Sequence, residues 1–327
     1  MNFGQLAADW LRFLRGKRSQ RGFSKRLGYR SNIAYRWESQ VCFPTAAETF
    51  ALAERSGVRS QAALEAFFGT PPATVMELAT PLGVAQLLRA LRGKTHLVEL
   101  AARSGFSRFS IARWLSGAAE PRLPEFLALV EAASFRGLDF LSHFVALEQL
   151  LSVAEEWRAL QAARKAAYDV PWSHAVLRAL ELTDYARLRR HRPGWIAERL
   201  GISKAEEQRC LAALAAAHQI RMEGGRWVVD QTQTVDTRVD RVRSRKLKGE
   251  WLKVALARFE GGVPGIFGYN LMAISQTDLE RLRSLHLAYF REMQALVADS
   301  APSECVVLFN TELFALDAHA LPAPKST

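Results

Sequence analysis

An internal repeat at an offset of 77 residues constrains this chain more than any other feature. Leu14-Arg15-Gly16-Lys17 recurs as Leu91-Arg92-Gly93-Lys94. At the same offset Leu11 meets Leu88, Phe23 meets Leu100, Arg26 meets Arg103 and Gly28 meets Gly105. Arg36-Trp37 meets Arg113-Trp114, Ser39 meets Ser116 and Pro44 meets Pro121. One unbroken offset that fixes Gly, Trp and Pro together implies two copies of one supersecondary module.

Periodicity makes that module helical. In the first copy Leu6, Trp10, Phe13 and Leu14 form an apolar stripe, which predicts a helix over about Gln5–Leu14. Ser19 is an N-cap residue type and opens a helix to about Leu27. Gly28 follows, where a left-handed turn is easiest. A third helix is expected over about Ser31–Ser39, ended by Pro44, then two more over Ala46–Ser56 and Ser60–Phe68. Pro71-Pro72 and Pro81 mark the junction to the second copy. Phe23, Leu27, Ala34 and Trp37 are the expected core between the second and third helices.

Charge adds a partner class. Of the net +11 on 327 residues, residues 1–60 hold eleven Lys/Arg against four Asp/Glu, an excess of seven. A basic cluster on a helical module points to a polyanion. The run Ser19-Gln20 … Phe23 … Gly28 … Trp37-Glu38 … Pro44 resembles the lambda-repressor/Cro (Xre) family of helix-turn-helix regulators. The resemblance implies double-stranded DNA as partner, with Ser31, Asn32, Tyr35 and Arg36 reading bases from the third helix in the major groove. Asn pairs bidentately with adenine and Arg with guanine, so the chemistry agrees. Gln20, at a helix N-terminus, is the expected phosphate donor. Arg15, Lys17, Arg18, Arg21, Lys25 and Arg30 are expected to surround it as further phosphate contacts.

The second copy departs from this pattern. Leu97 stands at the place of Gln20 and Leu115 at that of Glu38. Polar groups lost at both places favour burial, so the first copy is expected to carry most specific binding and the second mainly to orient it. Arg108 and Arg113 nevertheless form a second candidate DNA-contacting set, beside an unexpected Phe109.

Beyond the repeat, residues 137–168 lack Pro and predict one linker helix. Phe140, Phe144, Leu147, Leu151 and Ala154 would form a seam, for pairing chains or for burial in the same chain. Helices over Trp172–Leu182, Pro193–Leu200 and Ser203–His218, followed by a Gly224-Gly225 hairpin, read as a winged-helix-like block over 169–232. Its would-be reading helix opens with Glu206 and Glu207, which would repel phosphate. A small α+β dimerisation or sensor unit is expected over 233–318: helix Asp236–Phe259, strand Ile266–Ile274, helix Thr277–Val297 and strand Cys305–Leu316. Residues 319–327 read as a disordered tail. Pro193-Gly194-Trp195-Ile196-Ala197, Gly225-Arg226-Trp227 and the closing Val306–Phe314 segment are similar to an uncharacterised C-terminal domain found behind Xre-type domains in predicted regulators of predatory and fruiting bacteria.

The expected fold is therefore mainly α: two helix-turn-helix domains, over 1–70 and 82–136, then the linker helix, the winged-helix-like block and the α+β unit. Three dispersed cysteines and seven histidines without ligand spacing suggest neither a disulfide framework nor a metal site. No P-loop, GxSxG or other catalytic constellation is present, so no enzyme activity and no cofactor are expected. The expected protein is a cytoplasmic, homodimeric transcription regulator, with an unidentified effector or protein partner at its C-terminal half. The competing class is a protein-interaction module, antirepressor-like, that has lost DNA binding.

Overall fold

The computed structural model describes residues 1–68, 76–93, 95–230, 235–298 and 300–317. The Pro71-Pro72 junction, Lys94 and the tail over 319–327 lie outside the described residues. The protein is mainly helical, and among the described residues its sheet is a single two-stranded hairpin. It divides into two compact units, one of Met1–Ala162 with the short segment ending at Asp236, the other of the remainder.

The first unit contains both repeats. Copy one is α1 (Phe3–Arg15), α2 (Gln20–Arg26), α3 (Ile33–Glu38), α4 (Ala46–Arg55) and α5 (Ser60–Phe68). Copy two is α6 (Pro81–Arg92), α7 (Leu97–Ser104), α8 (Arg108–Ser116), α9 (Leu123–Ser134) and α10 (Gly137–Ser142). Left-handed backbone recurs at the repeat offset: Gly28 with Gly105, Gly16 with Gly93, and Gln40 with Gly117. The copies do not fold as separate domains. They share one core in which Phe50 meets Phe126 and Phe144 at ring separations of 5.3 and 5.2 Å, with Trp10 packed on Phe50. Phe13, expected on the apolar stripe of α1, is instead 37% exposed.

Backbone pairing joins the copies with twofold reciprocity. The Ala46 N–H donates to the Pro121 carbonyl, and the Leu123 N–H to the Pro44 carbonyl, both at 3.0 Å. Thr45 and Arg122, which are repeat equivalents, face each other in an antiparallel bridge. Each opens its helix in the same way: its N–H donates at 2.7 Å to the carboxylate three residues on, Glu48 or Glu125.

The expected continuous helix over 137–168 is broken into α10, a 3-10 turn at Leu147–Gln149 and α11 (Ala154–Asp169). Tertiary burial overrides helical continuity here. Phe140, Phe144, Leu147, Leu150 and Val153 all enter the core of the first unit, and the buried Asp9 carboxylate accepts the Ser152 N–H at 3.0 Å. The proposed seam is thus internal, except for Leu151, which is exposed.

The second unit opens with α12 (Ser173–Leu180), α13 (Thr183–Ala186), α14 (Trp195–Leu200) and α15 (Lys204–Ala216). Strands β1 (Ile220–Glu223) and β2 (Arg226–Val229) pair antiparallel across Gly224-Gly225, both at positive φ as a type I′ turn requires. Glu207 is not a phosphate-repelling surface acid as expected. It is 1% exposed, and its carboxylate accepts the Gly194 N–H at 2.9 Å and the Ala197 N–H at 2.6 Å, capping α14. The helices expected next are present as α16 (Arg241–Glu260) and α17 (Gln276–Ala298). The two expected strands are not. A strand needs an edge to receive its backbone hydrogen bonds, and segments 264–275 and 303–315 run as irregular chain. The latter lies against helices instead, with the Asn310 amide donating to the Trp251 carbonyl and Tyr289 packed on Phe309.

Glu207→Ala strips two helix N–H groups of a charged acceptor, which costs about 3–6 kcal/mol at ~1.5–3 kcal/mol per charge-assisted bond. Thermal unfolding checks this, and a loss below about 0.5 kcal/mol contradicts the capping role. Burial, aided by the Arg178 charge, holds the His174 imidazole down at about 4. A depressed histidine favours the neutral folded form, so its contribution is intact above the ordinary pKa of ~6.5. It is lost as pH falls from there toward 4. Melting temperature should decline over that interval, and less steeply in His174→Gln.

Candidate nucleic-acid interface

The α2–turn–α3 segment is built from short-range polar contacts. The Ser19 hydroxyl caps α2 by accepting the Gly22 N–H at 3.1 Å. Gly28 turns the chain at φ +86°. Phe23, Ala34 and Trp37 are buried beneath, and Leu27 is half-buried against them. Sequence reasoning missed Ser24, which pins the two helices together. Its buried hydroxyl donates to the Gln20 carbonyl at 2.7 Å and accepts the Ala34 N–H at 3.1 Å. Only its burial distinguishes it from a surface serine, and an apolar flank on each side, Phe23 and Leu27, was the available signal.

Glu38 is the second pin. Its side chain is 5% exposed and collects three groups from α1 and α2. Arg15 donates through Nε at 2.5 Å and through its terminal nitrogen at 3.1 Å, Gln20 through Nε2 at 2.9 Å, and the Arg12 guanidinium lies 3.6 Å away. Burial pushes the Glu38 carboxyl up, but the hydrogen bonds from Arg15 and Gln20 and the charges of Arg15 and Arg12 outweigh it and hold its pKa below the ordinary value.

This arrangement sorts the expected site residues into two groups. Arg15 is an internal ion-pair partner that also donates to the Arg18 carbonyl, so its charge is neutralised and its expected phosphate contact gives way to a positioning role. Gln20 is held by Glu38 through one N–H of its amide, and it retains a second. Asn32 caps α3: its Oδ1 accepts the Tyr35 N–H at 3.4 Å and lies 3.2 Å from the Ser24 hydroxyl. A bidentate adenine contact also uses that oxygen, so capping and base reading compete for it. Ser31, Tyr35, Arg36, Lys17, Arg18, Arg21, Lys25 and Arg30 are all exposed. Among the described residues none of Lys17, Arg21, Lys25, Arg30 and Arg36 has a carboxylate at ion-pair distance. The face therefore presents a field of uncompensated positive charge around a rigid, two-pinned turn.

The second copy keeps the frame and changes the pins. Arg92 donates to the Thr95 carbonyl at 2.8 Å, as Arg15 does to Arg18. Leu115 is buried where Glu38 gathers its partners, and Leu97 is half-buried against the core. Ser107 caps α8, leaving Arg108 and Arg113 exposed, with the Arg113 guanidinium 5.7 Å from the ring of a 72%-exposed Phe109. Among the described residues no group of three His, Cys, Asp or Glu could hold a metal, and no helix is long and apolar enough to cross a membrane.

Glutamine in place of Glu38 removes the charge and one of the two acceptor oxygens that Arg15 and Gln20 share. Glu38→Gln should therefore destabilise the first unit by about 1–3 kcal/mol. A lowered carboxylate pKa contributes stability above the unfolded value, ~4.3, and loses it as pH falls through the folded one. The stability gap between wild type and Glu38→Gln should close below about pH 4 in calorimetry, and a gap constant with pH contradicts the ion-pair role.

Comparison with known proteins reaches only the C-terminal half. A family described as a domain of unknown function, DUF4423, matches residues 152–316. No curated protein and no solved structure matches the chain. The matched span is just over half of the 327 residues, and the chain accordingly belongs to the DUF4423 family.

Proposed function

We propose that this protein is a sequence-specific, double-stranded-DNA-binding transcription regulator that reads the major groove with α3. The observation that carries the reading is the exposed, uncompensated basic set Lys17, Arg21, Lys25, Arg30 and Arg36 around a capped helix-turn-helix. Phosphate contacts from such a set position a protein, and Arg36 with Tyr35 on the outer side of α3 supplies base chemistry. In this reading both repeats are lambda-repressor-like modules, and residues 173–229 form a winged-helix-like block in which Glu207 of α15 is committed to internal packing. The protein acts in the cytoplasm, without cofactor or enzymatic activity.

Self-association belongs to the second unit in this reading. Ile266, Tyr269, Leu271, Val307, Phe314 and Leu316 are all more than two-thirds exposed, and a surface of that kind is ordinarily an interface. A second copy of the chain would supply the edges that segments 264–275 and 303–315 lack. The competing reading, a protein-interaction module, rests on the exposed Phe109 and Val98 of the second copy.

Selection from a random-sequence duplex pool tests the proposal. A defined motif should emerge, and Arg36→Ala should weaken binding to it by about 1–3 kcal/mol while relaxing preference at one position. The logarithm of the binding constant should fall with log salt by ~0.9 per phosphate contact, and Arg21→Ala should reduce that slope by about one contact. Equal loss on selected and random DNA in Arg36→Ala removes this residue from base reading. A pool that yields no motif supports the interaction module instead.

A further inference from the structure

The joint between the copies has the symmetry of a dimer interface. In a twofold contact residue i meets residue j and j meets i. Here the Ala46 N–H meets the Pro121 carbonyl while the Leu123 N–H meets the Pro44 carbonyl, and 46/123 and 44/121 are repeat equivalents. Thr45 meets its own equivalent, Arg122, which places both at the local dyad. The chain thus carries within itself a joint of the kind that two subunits form.

Both candidate reading helices end beside that dyad. The Arg36 carbonyl accepts the Val41 and Cys42 N–H groups, and the Arg113 carbonyl accepts the Ala119 N–H, the equivalent of Cys42. A cleft of about 510 Å³ is lined jointly by Ile33 and Trp37 of α3 and by Arg122 and Pro124 from the dyad. Two residues lie between Cys42 and Thr45, and two between Ala119 and Arg122, so each path is three residue steps. With three extended steps of ~3.5 Å on each side, the hydrogen bond at each end and a bridge of about 5 Å between, the Arg36 and Arg113 carbonyls are no more than roughly 35 Å apart. Inverted half-sites on one face of duplex DNA repeat at about 34–36 Å, so this upper limit is compatible with successive major grooves and excludes wider spacings.

We infer that a single chain reads two inverted half-sites, α3 on one and α8 on the other, across a dyad built into the chain. This rests on the DNA-reading proposal above. It departs from the expectation that the second copy mainly orients the first, which weighed only the groups lost at Leu97 and Leu115. Those two positions are buried or half-buried and do not form the reading face. On the face itself Arg36 and Arg113 are equivalent and both exposed, whereas Ser31, Asn32 and Tyr35 are matched by Arg108, Phe109 and Ala112. The preferred site is therefore an imperfect palindrome. Its halves share the base that the paired arginines read, a guanine by their chemistry, and differ beside it. Phe109, which supports Arg113, fits a thymine methyl.

The test is base-by-base preference profiling of the full chain on the selected site, with Arg36→Ala and Arg113→Ala compared. Both side chains are exposed, so both variants should keep the wild-type melting temperature. Each should lose roughly 5- to 150-fold in affinity, with Arg36→Ala relaxing one half-site only and Arg113→Ala the other only. If Arg36→Ala relaxes both halves and Arg113→Ala neither, then two chains bind with α3 on each half, and the inference is overturned while DNA reading stands. A variant that acts on both halves together, or an Arg113→Ala profile identical to wild type, overturns it equally. A wild-type chain that selects no sequence overturns the DNA reading itself.

Discussion

Two backbone hydrogen bonds, Ala46 to Pro121 and Leu123 to Pro44, determine how the first unit is organised. They sit at the N-termini of α4 and α9, where helical N–H groups have no partner of their own. A buried N–H without an acceptor costs as much as a lost hydrogen bond. Each copy therefore needs the carbonyl that the other provides. The same seam brings Phe50 and Phe126 into edge-to-face contact, and Phe140 and Phe144 close over them. Aromatic pairs of this kind contribute ~0.5–1.5 kcal/mol each beyond area burial. Neither copy would hold this arrangement alone, since half of each contact comes from its repeat mate.

The two copies close the same joint by different chemistry. In copy one the helix-turn-helix is held by Glu38, a nearly buried carboxylate that gathers Arg15, Gln20 and Arg12. In copy two an apolar Leu115 fills the equivalent place. A charged hub fixes orientation through directional bonds, whereas leucine fixes it through volume alone. The first solution also places the Gln20 amide at the N-terminus of α2, where the helix dipole favours a phosphate. The second has no such group. The difference bears on how tightly each copy would grip a backbone, and leaves the outward faces of α3 and α8 to decide what each would read.

Much of the helical layout was legible because it rests on local signals. Ser19, Gly28, Gly105 and Ser107 act at the positions where residue type alone suggests caps and turns. The hairpin at Gly224-Gly225 follows the same logic. The misses arose where tertiary contacts overrode pattern. The apolar run over 137–168 has good helical periodicity, yet its side chains enter a core that a straight helix could not reach. Segments 264–275 and 303–315 alternate like strands but find no edge within the chain. The candidate site was half legible. Exposed lysines and arginines followed from charge, and the Asn32 cap rests on a partner only three residues on, whereas the internal capture of Arg15 and the burial of Glu207 depend on more distant partners and on the fold around them.

The account stands on the claim that the turn-and-helix faces of the first unit are the DNA interface. Hydrogen exchange of the full chain, with and without its selected duplex, addresses that claim directly. DNA should slow exchange over residues 19–38 and 96–115 together, while the core amides of α4 and α9 remain unchanged. Protection confined to residues 152–316, or none in the first unit, would contradict it.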